Sequence, residues 1–187
     1  MITVAGGDSM IWGSELEDSP HGGPDGYSRS TFAALLAGEN YACAGYPGIG
    51  NREITSRVIG TIEQLIFTNI PLRVLVCWTW PTRDNTVNSD DSILELQQYL
   101  DQLLIPYVFT CVDNCVITDN PKIDWKKWYL FPAGAVANET TTPRGFYQWA
   151  IENKYSMGSD GHPLESAHKD AALLIKEKFN ELVKKSI

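Results

Sequence analysis

Two short stretches of this 187-residue chain carry the residue types of nucleophilic catalysis. Gly6-Gly7-Asp8-Ser9 closes the first apolar run, and Asp160-Gly161-His162-Pro163 precedes a long amphipathic segment. A serine hydroxyl is protonated at neutral pH. It becomes a nucleophile when an imidazole takes its proton and a carboxylate orients that imidazole. There are three histidines, His21, His162 and His168. His162 follows Asp160 by two positions, which allows a local carboxylate–imidazole pair. Pro163 holds His162 extended and can start the helix behind it. His168 is the competing base, with packing on a helix face as its alternative role, and His21 lies in a Gly/Pro loop. A developing oxyanion needs preorganised donors. The backbone N–H of Ser9 and of a glycine in Tyr46-Pro47-Gly48-Ile49-Gly50-Asn51 are suited to this, because glycine lets the backbone come close. Asp8 is expected to be structural, fixing its turn through backbone contacts.

The elements that must position these residues alternate along the chain. MITVAG, YACAG, LRVLVCW and PYVFTCV read as four short strands, the last two apolar enough to be covered on both faces. A helix is expected in YSRSTFAALLAGEN, capped by Ser28 or Ser30 and stopped at Gly38. A second spans NREITSRVIGTIEQLIF with Ile54, Val58, Ile62 and Leu65 on one face and Asn51 as cap. A third, DSILELQQYLDQLL, has Ser92 and Glu95 spaced as a capping box. GFYQWAIEN reads as a short helix. ESAHKDAALLIKEKFNELVKK reads as a long one, with Ala171, Leu174, Lys178 and Leu182 along one side. The stretch 112–145 is irregular, with the aromatic WKKWYLF set against the core. Strand–helix repetition implies parallel strands with right-handed crossovers, hence one domain built as a three-layer α/β/α sandwich. In such sheets ligands bind beyond the carboxyl ends of the strands. Ser9, AGYPGIGN, WTWPTRDN and GSDGHPLESAH then converge on one rim.

Composition narrows the function classes. A net charge of −8 argues against nucleic acid or an anionic membrane as partner. No apolar run reaches the roughly 20 residues that span a bilayer. The start carries no basic leader, so a cytoplasmic protein is expected. Cys43 and Cys77 read as buried thiols, and Cys111 and Cys115 lack the further ligands of a zinc site. No metal or organic cofactor is expected.

GGDSMIWG after the first strand, with DGHP before the last helix, resembles the SGNH (GDSL-like) hydrolase family across nearly the whole chain. YPGIGNREI and VCWTWPTRDN are closer to the subgroup often found in phage genomes than to secreted lipases. The resemblance implies a flavodoxin-like α/β/α fold with Ser9 as nucleophile, His162 as general base and Asp160 as orienting acid. Gly48 matches the glycine whose N–H joins that of Ser9 in the oxyanion hole. Two positions depart from the family pattern. The usual acid position, three before the histidine, holds Ser159, and the third block lacks its asparagine until Asn85. Thr79, Arg83 or Asn51 are the residues that could replace that donor. Loss of one donor can cost about 2.7–4 kcal/mol of transition-state stabilisation.

Trp78 and Trp80 flank the expected rim and suit either stacking on substrate or core filling. Trp12 is expected to pack on the sheet. Arg83 pairs with a substrate carboxylate or, more simply, with Asp84, and Tyr46 lines the entrance. The resulting expectation is a serine esterase or deacetylase acting on a small ester, such as an O-acetyl group on a carbohydrate. The rival is a catalytically weak or silent SGNH-fold module used in a virion or for host interaction, which would place it in the virion or host cytoplasm. A metal-dependent phosphoesterase built on Asp8, Asp160 and His162 is weaker, because two-metal sites need denser Asp/His clusters.

Overall fold

The strand that ends at the candidate nucleophile lies inside a fully parallel sheet. A computed structural model describes residues 1–19, 26–84, 88–133 and 142–184. Ile2–Gly7 (β1) pairs with Tyr41–Cys43 (β2) on one side and Leu72–Trp78 (β3) on the other, and β3 pairs with Tyr107–Cys111 (β4). The order is β2-β1-β3-β4. Six α-helices occur among the described residues: Ser9–Trp12 (α1), Phe32–Ala37 (α2), Asn51–Leu65 (α3), Ser89–Gln102 (α4), Phe146–Glu152 (α5) and Glu165–Lys184 (α6).

Alternate strand residues face opposite layers, as the two-residue period of a strand requires. Val4, Val74, Val76, Trp78 and Phe109 pack with Ile54, Val58 and Ile62 of α3 and Ile93, Leu96 and Leu100 of α4. Ala5, Leu75, Cys77 and Val108 pack with Phe32 of α2, Phe146 and Trp149 of α5, and Ala171, Ile175 and Phe179 of α6. The result is the expected α/β architecture, a parallel sheet flanked by helices. Strand order reverses between β1 and β3, so the crevice at their carboxyl ends is the topological switch point where such sheets bind ligands. No described helix is long and apolar enough to cross a membrane.

Helix starts differ from the sequence expectation. Thr31, not Ser28 or Ser30, caps α2, accepting from the Ala34 N–H. Asn88 caps α4, leaving Ser92 inside the first turn. Asn51 is the first residue of α3 rather than its cap, and the Asp84 carboxylate takes the free Asn51 and Arg52 N–H groups instead. Neighbouring short polar residues are equivalent as caps in sequence, and packing of the following turn decides among them. In α6 the buried stripe runs through Ala167, His168, Ala171, Ala172, Ile175 and Phe179, while Leu174 is exposed. Within the stretch read as irregular, 3-10 turns form at Asn114–Val116 and Trp125–Lys127, and Trp128 packs edge-on to Phe109.

Candidate active site

Ser9 owes its position to the cap of a single helical turn. Asp8 precedes α1, and its Oδ1 accepts the Met10 N–H at 3.0 Å. Gly13 closes the turn in the left-handed region (φ 83°), donating to the Ser9 carbonyl. Ser9 is therefore the first helical residue, where a backbone N–H has no intrahelical acceptor. The residue is 5% exposed, and its hydroxyl has no hydrogen-bond partner among the described residues.

On the β3 side of Ser9 the polar groups bind one another. Asp8 Oδ2 accepts from Thr79 Oγ1 at 2.7 Å and from Arg83 Nη1 at 2.9 Å. Asn51 bridges three elements: its Oδ1 accepts the Thr79 N–H, and its Nδ2 donates to the Thr79 carbonyl and to Ser89 Oγ. Asp8, Asn51 and Thr79 are fully buried. Asp8 is thus structural, as expected. Arg83 pairs with Asp8 rather than Asp84, because Asp84 is held at the start of α3. The Thr79 hydroxyl proton and both Asn51 amide protons are engaged, so neither side chain is a free oxyanion donor in this structure.

Beyond the other end of α1 the imidazole of His162 meets a carboxylate, and it is that of Glu15. His162 Nδ1 lies 2.8 Å from Glu15 Oε2, which also accepts the His162 N–H. Glu15 Oε1 accepts from the Asp160 N–H at 2.9 Å and from Ser159 Oγ at 2.8 Å. The Asp160 carboxylate is exposed, and no side-chain hydrogen bond joins it to His162. The loop around His162 is a tight hairpin in which Gly158 N–H donates to the His162 carbonyl and Met157 bridges Pro163. A Cβ at Gly158 would overlap the Glu15 carboxylate, so glycine there is what admits it. Desolvation opposes the Glu15 charge. The hydrogen bonds from Asp160 N–H, the His162 ring, Ser159 and His162 N–H outweigh it, holding the Glu15 pKa down to about 2. His162 Nε2 makes no hydrogen bond with a described residue, and the ring is partly exposed.

His168, the alternative base, is a packing residue. It is 1% exposed, its Nδ1 accepts the Phe32 N–H at 3.2 Å, and its ring lies against Phe32 and Phe146. Burial pushes its pKa down to about 3; the Pro163 carbonyl opposes the shift and nearby His162 adds to it.

Trp78 does not reach the rim. It is the last residue of β3, turned toward α3 and α4 and fully buried with its ring edge-on to Phe109. Trp80 is half-buried, lies edge-on to Tyr147, and has the Arg83 guanidinium 5.0 Å above its ring. Trp12 packs edge-on against Tyr27 and Tyr46. Tyr46 is 47% exposed and lines an open groove of about 560 Å³ with Gly48, Arg52, Ser56, Arg83 and Asp84. Gly48 stands at the exposed tip of the β2–α3 loop with φ 79°. Ser9 and His162 are not among the residues lining that groove, which touches their surroundings through Arg83.

No cluster of three or more His, Cys, Asp or Glu suited to a metal occurs among the described residues. Asp8 is bound to Arg83, and His162 to Glu15, so the ligand set considered for a phosphoesterase is divided between separate networks. His21 and Asn85 lie outside the described residues.

No family model matches this chain, and no curated protein or solved structure matches it either. The residue that sequence reasoning missed is Glu15. Its contact with His162 spans 147 positions, and Glu15 stands in an acidic stretch with Glu17 and Asp18, so no local spacing marks it.

Proposed function

We propose that the protein is a serine hydrolase of small esters. Ser9 attacks the ester carbonyl while His162 takes the hydroxyl proton. The tetrahedral adduct then collapses to an acyl-Ser9, with the proton passing from His162 to the leaving alcohol. Water, deprotonated by His162, attacks the acyl group and restores Ser9. The Ser9 N–H, free at the helix start, and the Gly48 N–H are the proposed oxyanion donors. The observation that carries this reading is that one short segment, residues 9–15, holds both an unbonded serine hydroxyl and the carboxylate that fixes a histidine with its Nε2 open. The similarity of the Gly-Asp-Ser and Asp-x-His-Pro blocks to SGNH hydrolases supports it. Trp80, Tyr46 and Arg83 suit a polar, ring-bearing substrate better than a long acyl chain, which favours an O-acetyl group on a carbohydrate.

The test is an ester panel run on wild type, Ser9→Ala and His162→Ala. Acetyl esters turned over by the wild type and by neither variant support the reading. Turnover that survives Ser9→Ala contradicts it. A second reading, a weak or silent SGNH-type module in a virion or at a host surface, is favoured by the internal bonding of Thr79 and Asn51. It predicts no turnover of any ester by folded protein.

A further inference from the structure

We infer that Glu15, not Asp160, is the positioning carboxylate for His162, so that the nucleophile and the residue orienting its base come from one segment at the end of β1. This rests on the serine-hydrolase reading. Geometry separates the two carboxylates. Glu15 Oε2 lies 2.8 Å from His162 Nδ1, whereas Asp160 reaches the same network only through its backbone N–H, 2.9 Å from Glu15 Oε1.

An imidazole that acts as base through Nε2 must carry its proton on Nδ1, and a carboxylate at Nδ1 fixes that tautomer and stabilises the imidazolium as it forms. Glu15 can do this only if it is ionised and held still. Three further hydrogen bonds, from Ser159 Oγ and the backbone N–H groups of Asp160 and His162, hold it. They also keep it charged through the neutral and mildly acidic range, consistent with a pKa near 2. The backbone is arranged for this contact from both sides. Glu15 adopts the left-handed conformation (φ 67°), which is uncommon for a residue with a side chain, and Gly158 leaves the space its carboxylate fills. Next to this pair, the Glu17 N–H donates to Glu165 Oε1 at the start of α6, tying the same segment to the helix that follows the histidine loop.

A carboxylate that merely ties two loops together would have the same bonds, so the test must read the imidazole. The rate of fluorophosphonate labelling at Ser9 is measured against pH for wild type, Glu15→Gln, Glu15→Asp, Gly158→Ala and Asp160→Asn. The His162 ring tautomer is read from its 15N shifts in the same proteins. Glu15→Gln is expected to slow labelling about 10²–10⁴-fold, the usual range for general-base function. Its acid limb should move to lower pH, and the Nδ1–H tautomer should lose its dominance. Glu15→Asp should recover part of the rate. Gly158→Ala keeps both groups but displaces the carboxylate, and should fall between Glu15→Gln and wild type. Asp160→Asn should label within about twofold of wild type, since its backbone N–H remains.

A folded Glu15→Gln protein with wild-type rate, pH profile and tautomer overturns the assignment, as does a large loss confined to Asp160→Asn. If Glu15→Gln does not fold, the Gly158→Ala and Glu15→Asp rates decide in the same way. Failure of the wild type itself to label overturns the serine-hydrolase reading, and Glu15's catalytic purpose with it, which is distinct from labelling that ignores Glu15.

Discussion

The two flanks of α1, the turn that starts at Ser9, are built from similar residue types and treated in opposite ways. Toward β3, Asp8, Asn51, Thr79 and Arg83 form a closed network with the polar protons of Thr79 and Asn51 bonded and three of the four residues fully buried. Toward α6, Glu15 and His162 are partly exposed, and one imidazole nitrogen is left without a partner among the described residues. Closed networks rigidify, because each buried polar group must be paired or cost its desolvation. Open valence at a rim is what a reacting group needs. The β3 flank fixes where Ser9 stands; in the proposed mechanism the α6 flank supplies the base.

His162→Ala and Ser9→Ala should reduce Ser9-dependent turnover to a similar low residual, since members of such a unit are strongly non-additive. Urea denaturation should show little stability loss in His162→Ala, the side chain being partly exposed. A large stability loss there would erase the distinction between the flanks. On the closed flank, Arg83→Met leaves the buried Asp8 charge without its cation and should cost about 3 kcal/mol in the same measurement. Thr79→Val removes one bond to Asp8 and should cost about 1–2 kcal/mol. Its labelling rate should track only the folded fraction, and a rate loss beyond that would return Thr79 to the oxyanion hole.

Acid sensitivity gives a finer comparison. His168 is held neutral by burial, with its pKa near 3, so the unfolded chain binds the extra proton as pH falls below 6.5. Stability should therefore be full above that value and decline progressively toward pH 3. Glu15, depressed from 4.5 to about 2, adds a separate decline between those two values, because the unfolded carboxylate protonates first. His168→Gln should flatten the upper window and Glu15→Gln the lower one in pH-dependent thermal unfolding. If neither curve changes, these groups do not carry the acid response.

The strand–helix alternation was legible because it is local. β1 through β4 and the buried faces of α3 and α4 follow from apolar runs and 3.6-residue spacing. Ser9 and His162 were legible as residue types in short motifs. The partners of polar side chains were not, because they depend on which loops meet. Asn51 reads as a cap and instead ties α3 to β3 and α4. Trp78 reads equally as a rim aromatic or a core filler, and strand parity settles it in the core. Arg83 finds Asp8 across 75 positions, and Glu15 finds His162 across 147.

Whether Ser9 is an activated nucleophile is read from the intact mass after incubation with a small fluorophosphonate. A single adduct is expected on the wild type and none on Ser9→Ala. An unmodified, folded wild-type protein, or an adduct that persists in Ser9→Ala, would contradict that role.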